Sequence, residues 1–198
     1  FLWVGTYRGG LNKFDPTTEK FVHYKHDRNN PNSISDNKVF CIFEDNEGFI
    51  WIATNGGLDK LDPNTDEIYH YNTKDGLPNN TIYGILPEKN KNIYWLPTNF
   101  GLSKFDLENN SFVNFTVDDG LQSNEFNGGA FHAGHSGKMY VGGVNGLNIF
   151  HPDSIKYNQT PPDIVLTKFQ IFTKIVRILT NSDQEDNRIK IVDNEYYT

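Results

Sequence analysis

The sequence predicts an all-β fold: a β-propeller fragment of about four blades of four antiparallel strands, two of them incomplete, followed by the first strands of a β-sandwich. Three observations carry that prediction. A strand, a glycine turn and a second strand recur at residues 2–11, 50–61, 94–102 and 139–147. The glycine before the leucine of each hairpin falls at Gly10, Gly57, Gly101 and Gly146, a period of about 45 residues. No segment shows an apolar stripe at a 3.6-residue period, so the repeating unit is a blade of short strands and not a helical hairpin.

The second copy shows why these residues make these elements. Ile50-Trp51-Ile52-Ala53-Thr54 is rich in β-branched and aromatic side chains that suit a pleated, buried surface. Asn55-Gly56-Gly57 can adopt the positive φ of a tight hairpin, and Asp62-Pro63 opens a type I turn. An aromatic-rich outer strand follows at residues 21–24, 68–71 and 112–115, and an apolar innermost strand at 39–43, 82–86 and 126–131. Residues 1–24 therefore supply the outer three strands of one blade. Residues 38–72 and 81–116 supply two whole blades, and 126–150 the inner three strands of a fourth, with no helix expected before residue 150. Trp3, Trp51, Trp95 and Tyr140 are expected as equivalent packing residues between blades.

The fourth copy departs from the pattern. Its outer strand would lie near Tyr157, where the sequence runs Lys156-Tyr157-Asn158-Gln159-Thr160-Pro161-Pro162. A diproline supports neither ladder nor helix, so propeller blades are expected over 1–160 and a second domain from 161 to 198. In that domain 164–172 and 189–192 read as strands and 181–188 as a loop. Four blades leave edges open, so an open arc, or a ring completed by further blades or a second chain, is expected.

Composition narrows function. A net charge of −7 offers nucleic acid and anionic lipid no basic patch. No 18-residue apolar run is present, so membrane contact is expected only through segments not included here. Cys41, in the run Val39-Phe40-Cys41-Ile42-Phe43, reads as a small core residue. The chain opens in mid-strand and is expected to be a piece of a longer protein.

Little in the sequence points to catalysis. His132 and His135 have a His-x-x-His spacing but no third ligand and are expected in a turn between strands. His23 and His70 occupy equivalent places, as do Asp15, Asp62 and Asp106, which argues for structural slots and turn caps. No catalytic residue, metal ligand or cofactor is assigned. Alternation of strand direction puts the turns after Trp3, Trp51, Trp95 and Tyr140 on one face with the loops between blades. That face carries the candidate ligand-binding residues Tyr7, Arg8, Arg28, Asn55, Asn99, Phe100 and Asn145. Aromatic platforms with amide or charged groups suit sugars. Tight turns also demand Asn, so Tyr7, Arg8, Arg28 and Phe100, which have no turn duty, stand out.

The aromatic hairpin closed by Gly-Leu and an apolar-Asp pair, with Asp75-Gly76-Leu77-Pro78-Asn79-Asn80 and Asp119-Gly120-Leu121-Gln122-Ser123-Asn124 leading into the innermost strands, resembles the two-component regulator propeller repeat. Asn145-Gly146-Leu147-Asn148-Ile149-Phe150-His151-Pro152 and the stretch Pro161 to Phe169 are similar to that family's last blade and its exit into the three-Tyr, Ig-like β-sandwich. The resemblance implies the periplasmic sensor region of a Bacteroidetes hybrid two-component system, non-catalytic in itself. There it would respond to glycan-derived oligosaccharides and pass the signal through the sandwich to a histidine kinase beyond the inner membrane, in a homodimeric receptor. The alternatives are a propeller lyase resembling the streptogramin lyases, for which His26 is the one histidine in the relevant loops, and a protein-binding scaffold.

Overall fold

The computed structural model describes residues 1–155 and the backbone of four short strands beyond them. The chain divides into two compact units, Phe1–Lys156 and Tyr157–Thr198. The first unit is a run of four antiparallel sheets, each with its strands in sequence order. Blade 1 holds β1 (Leu2–Gly5), β2 (Leu11–Asp15) and β3 (Lys20–Tyr24). Blade 2 holds β4 (Val39–Glu44), β5 (Ile50–Thr54), β6 (Leu58–Leu61) and β7 (Ile68–Tyr71). Blade 3 holds β8 (Leu86–Pro87), β9 (Ile93–Pro97), β10 (Leu102–Asp106) and β11 (Ser111–Phe115). Blade 4 holds β12 (Phe126–Ala133), β13 (Met139–Gly143) and β14 (Gly146–Phe150). In the second unit β15 (Phe169–Ile171) pairs with β16 (Lys174–Val176), and β17 (Ile178–Leu179) with β18 (Lys190–Ile191). The expected outer strand near Tyr157, the diproline, residues 164–168 and the loop 181–188 lie outside the described residues.

The recurring Thr and Gly of the hairpin have one geometric cause. Thr6, Thr54 and Thr98 each donate the hydroxyl to the carbonyl of Gly10, Gly57 and Gly101, at 3.1, 2.8 and 2.8 Å. Those glycines sit at φ of +73°, +152° and +91°. A Cβ on them would lie 2.2, 2.6 and 2.4 Å from the carbonyl oxygens of Tyr24, Tyr71 and Phe115, which end the outer strands. Gly146 has a φ of +130° but open space around it, since no outer strand pairs with β14 among the described residues. Gly57→Ala should therefore destabilise by well over about 1 kcal/mol, through strain plus displacement of β7. Gly146→Ala should show the strain alone, and paired urea titrations of the two variants measure the difference.

The same threonines stitch blades together. The amides of Val39, Ile82 and Phe126, which start the inner strands of blades 2, 3 and 4, donate to the carbonyls of Thr6, Thr54 and Thr98 in the preceding blade at 2.9, 3.0 and 3.3 Å. Side chains then fill each gap. Leu11 and Tyr24 meet Ile50, Ile52, Leu61 and Ile68 between blades 1 and 2. Trp51, Ala53 and Leu58 meet Tyr94, Leu96 and Phe105 between blades 2 and 3. Trp95 and Leu102 meet Met139 and Val141 between blades 3 and 4. Leu2 of blade 1 and Leu147 and Ile149 of blade 4 stay exposed, so the unit is an open arc.

Four expectations need correction. Trp51 and Trp95 are buried, whereas Trp3 and Tyr140 are only half-buried: Trp51 is flanked by three rings, Trp3 has the Tyr24 ring and the Lys13 ammonium beside it, and Tyr140 lies on the arc's uncovered end. The inner strand of blade 3 is reduced to β8 and a single bridge between Ile82 and Thr98. Between them the Phe131 ring crowds Gly84, where a Cβ would lie 2.5 Å from the ring. His132 belongs to strand β12, opposite Tyr140, and not to a turn. A one-turn 3-10 helix, Val117–Asp119, interrupts the loop between blades 3 and 4, capped at both ends by Thr116 and Gly120.

Candidate functional site

Most polar residues on the loop face are occupied by the fold. The Asn37, Asn80 and Asn124 carboxamides accept the backbone amides of His26, Thr73 and Val117 at 2.9, 2.9 and 2.8 Å, tying down each loop between blades. A second repeated slot lies on the two outer strands. In blade 2, His70 Nδ1 is 2.7 Å from Asp59 Oδ1 and Nε2 is 2.9 Å from the Pro31 carbonyl. The fully buried Asp59 also accepts from the Ser35 amide at 2.7 Å and from its hydroxyl. Hydrogen bonding to Asp59 raises the His70 pKa against the opposing effect of burial. Blade 3 uses Ser103 and Asn114, the latter donating to the Gly76 carbonyl at 2.8 Å, and blade 4 uses Asn148, which accepts from the Gln122 amide at 3.1 Å. His23 fills the slot in blade 1, 2.6 Å from Asn12. Asp15, Asp62 and Asp106 cap their turns by accepting the amides of Thr17, Asn64 and Glu108.

What remains on that face is an aromatic cluster at the loop ends of the blades, with Phe40 on β4 and the others in the adjoining turns and loops. Lys38 Nζ lies 4.3 Å from the Tyr7 ring centroid and 4.9 Å from that of Phe40. The Phe40 and Tyr83 rings meet edge to face at 5.1 Å, and Tyr83 donates its hydroxyl to Asn99 Oδ1 at 2.7 Å. Burial first, then the negative charge of Glu125, raises the Tyr83 pKa, while Lys38 opposes the rise. Three blades thus contribute to one polar-aromatic surface. Phe40 and Tyr83 follow Val39 and Ile82 at the same place in successive blades, so their ring positions repeat with the fold.

The seven residues singled out from the sequence fare differently. Tyr7 and Asn99 join the cluster. Asn55 accepts from the Thr81 hydroxyl at 3.3 Å, and Asn145 is bound to Gln122 through both its backbone and its side chain. Those two serve turns. Arg8 and Arg28 are exposed, and Phe100 is half exposed beside Asn99. Lys38, Phe40 and Tyr83 were not expected.

Two clefts lie on the opposite face. One, of about 500 Å³, runs between blades 2 and 3 beside Asp45, Glu47, Tyr94 and Glu108. A smaller one, of about 260 Å³, lies beside Lys91, His135, His151 and Asp153. Their charges have structural work: Asp45 and Glu88 accept the indole N–H of Trp51 and Trp95 at 2.7 and 3.1 Å, and Lys91 bridges Glu88 and Asp153. Asp153 and Glu88 raise the Lys91 pKa. The loop face, whose Tyr7 ring, Lys38 ammonium and Asn99 amide nitrogen carry no such duty, is the better candidate. No group of three or more His, Cys, Asp or Glu side chains suited to a metal occurs among the described residues.

Comparisons with known proteins agree with this architecture. Residues 33–56, which run from the loop through β4 and β5, match the two component regulator propeller family. The chain is similar to the extracellular domain of BT3049 from B. thetaiotaomicron, described as a hybrid two component system, with 27% identity over 96% of this chain and 24% of that one and a TM-score of 0.73. The extracellular domain of BT4673 from the same organism matches at 22% identity over 88% of this chain and 25% of that one, with a TM-score of 0.64. Virginiamycin B lyase from Staphylococcus aureus, at 16% identity over 73% of this chain and 49% of that one and a TM-score of 0.52, shares the fold alone. No curated protein matches. The chain spans about a quarter of the length of the two extracellular domains. Residues 33–56 match one two-component regulator propeller repeat, and the arc of blades around them is similar in fold to extracellular domains of hybrid two-component systems.

Proposed function

We propose that this chain is part of the extracytoplasmic sensor of a hybrid two-component system, non-catalytic in itself, whose loop face takes up a glycan-derived oligosaccharide. The single observation that carries the reading is the Tyr7–Lys38–Phe40–Tyr83–Asn99 cluster. A ring face such as that of the exposed Tyr7 and a donor such as the Asn99 amide nitrogen are what a pyranose needs for stacking and for hydrogen bonds to its hydroxyls. Ligand binding would bias a histidine kinase across the inner membrane. The segment from 161 to 198 would begin the Ig-like sandwich that relays the change, in a receptor working as a homodimer in the periplasm. No observation favours a lyase or a scaffold: His26 is spent on the Ile34 carbonyl, 2.8 Å from its Nδ1.

Calorimetric titration of the intact ectodomain with a panel of oligosaccharides tests this. Saturable binding is expected, with the ligand recovered chemically unchanged by chromatography. Cleavage of the ligand would overturn the non-catalytic part, and silence across the panel the oligosaccharide part.

A further inference from the structure

We infer that the cluster around Lys38 is a subsite for a carboxylate-bearing sugar, a uronate unit within the oligosaccharide, an inference that rests on the oligosaccharide reading above. Among the described residues the Lys38 ammonium makes no ion pair and rests against the Tyr7 and Phe40 rings. Lys13 and Lys60 rest on rings in the same way, against Phe1 and Trp3 and against Phe49 and Trp51; what sets Lys38 apart is its place in the loop-face cluster. Ring faces hold a cation in place but accept none of its three N–H groups as a carboxylate would. A positioned, half-buried ammonium without an anion is one half of a charge-assisted pair.

The neighbours describe the rest of the ligand. Phe40 and Tyr83 present rings 76° apart, one of which can carry a pyranose face. Gly128 adds no side chain beside them; even a Cβ there would stand 3.5 and 3.6 Å from those rings. Asn99 uses its carbonyl oxygen on the Tyr83 hydroxyl, and its amide nitrogen meets no acceptor among the described residues, leaving a donor for a sugar hydroxyl. Charge density separates a singly charged sugar unit from a multiply sulfated one. One lysine supplies one positive charge, and the negative field of Glu125 reaches Tyr83. In a protein of net charge −7, that surroundings disfavours a multiply sulfated chain.

The test titrates the intact ectodomain with oligosaccharides containing glucuronate, galacturonate or mannuronate, each beside its carboxyl-reduced counterpart. At least one uronate should bind about tenfold or more tightly than its reduced form, the scale of one hydrogen bond to a charged group. Lys38→Met keeps the stem across the rings and removes the charge. It should abolish that preference, so that uronate and reduced sugar bind the variant within about twofold of one another. Bound uronate should also protect Lys38 from acetylation. Equal binding of uronate and reduced sugar, or a preference that survives Lys38→Met, overturns the uronate assignment and leaves the oligosaccharide reading standing. Binding of neither set overturns both.

Discussion

Trp51→Ala should lower the stability of the protein by about 3–5 kcal/mol, the range for emptying a large aromatic site in a packed core. Trp51 is fully buried, and the rings of Tyr94, Tyr71 and Phe105 lie 5.1, 5.8 and 6.0 Å from its own. Two of those rings belong to the next blade, so the cavity would open at the joint between blades 2 and 3. The indole N–H also donates to Asp45 Oδ2 at 2.7 Å, while Asp45 Oδ1 holds the turn amides of Glu47 and Phe49. Trp51→Phe keeps a ring and loses the hydrogen bond, so it should cost less, on the order of 1–2 kcal/mol. Urea denaturation of both variants measures the pair. A loss below about 1 kcal/mol for Trp51→Ala would mean that the blades do not depend on this joint.

The second large effect is expected at the Asp59 clamp. Asp59→Ala should destabilise by about 2–4 kcal/mol, because it strands the Ser35 amide and hydroxyl and the His70 ring at a buried site. His70 adds a pH dependence whose sign follows from its raised pKa. Its contribution is present in full below the unfolded imidazole pKa of about 6.5 and is lost as pH rises through the higher folded value. The stability gap between the protein and His70→Ala should therefore be larger near about pH 5.5 than near about pH 8.5. A gap that widens with pH would show that His70 is held neutral. The clamp bears on the site as well, because the loop it secures at Pro31 and Ser35 leads directly into Lys38.

Much of this fold could be read from the sequence because each repeated residue has a repeated geometric duty. The glycine before the leucine is fixed by the carbonyl that ends the outer strand, and the threonine before it by the hydroxyl bond that closes the turn. The Asp turn caps and the His23/His70 slot were legible for the same reason. What escaped was decided between blades. The inner strand of blade 3 looked as regular as that of blade 2, but Phe131, far along the chain, crowds Gly84. Trp3 and Tyr140 matched Trp51 in sequence, yet burial depends on what the neighbouring blade brings. At the candidate site, turn residues drew attention because turns are punctuated by Asn and Gly, and Asn55 and Asn145 prove to serve those turns. Phe40 and Tyr83 hid inside apolar runs read as inner strands, and Lys38 stands just before the first of them. Their signal was present: Phe40 and Tyr83 each directly follow the apolar residue, Val39 or Ile82, whose amide ties one blade to the preceding one.

The central claim, that recognition belongs to the loop face, is tested most directly by hydrogen exchange of the intact ectodomain with and without a bound oligosaccharide. Protection is expected in peptides spanning residues 5–10, 36–41, 81–84 and 97–101, with little change at 45–49, 88–92 and 135–138 around the opposite clefts. Protection confined to those opposite-face peptides would contradict the account and move the site to the clefts beside Asp45 and Lys91.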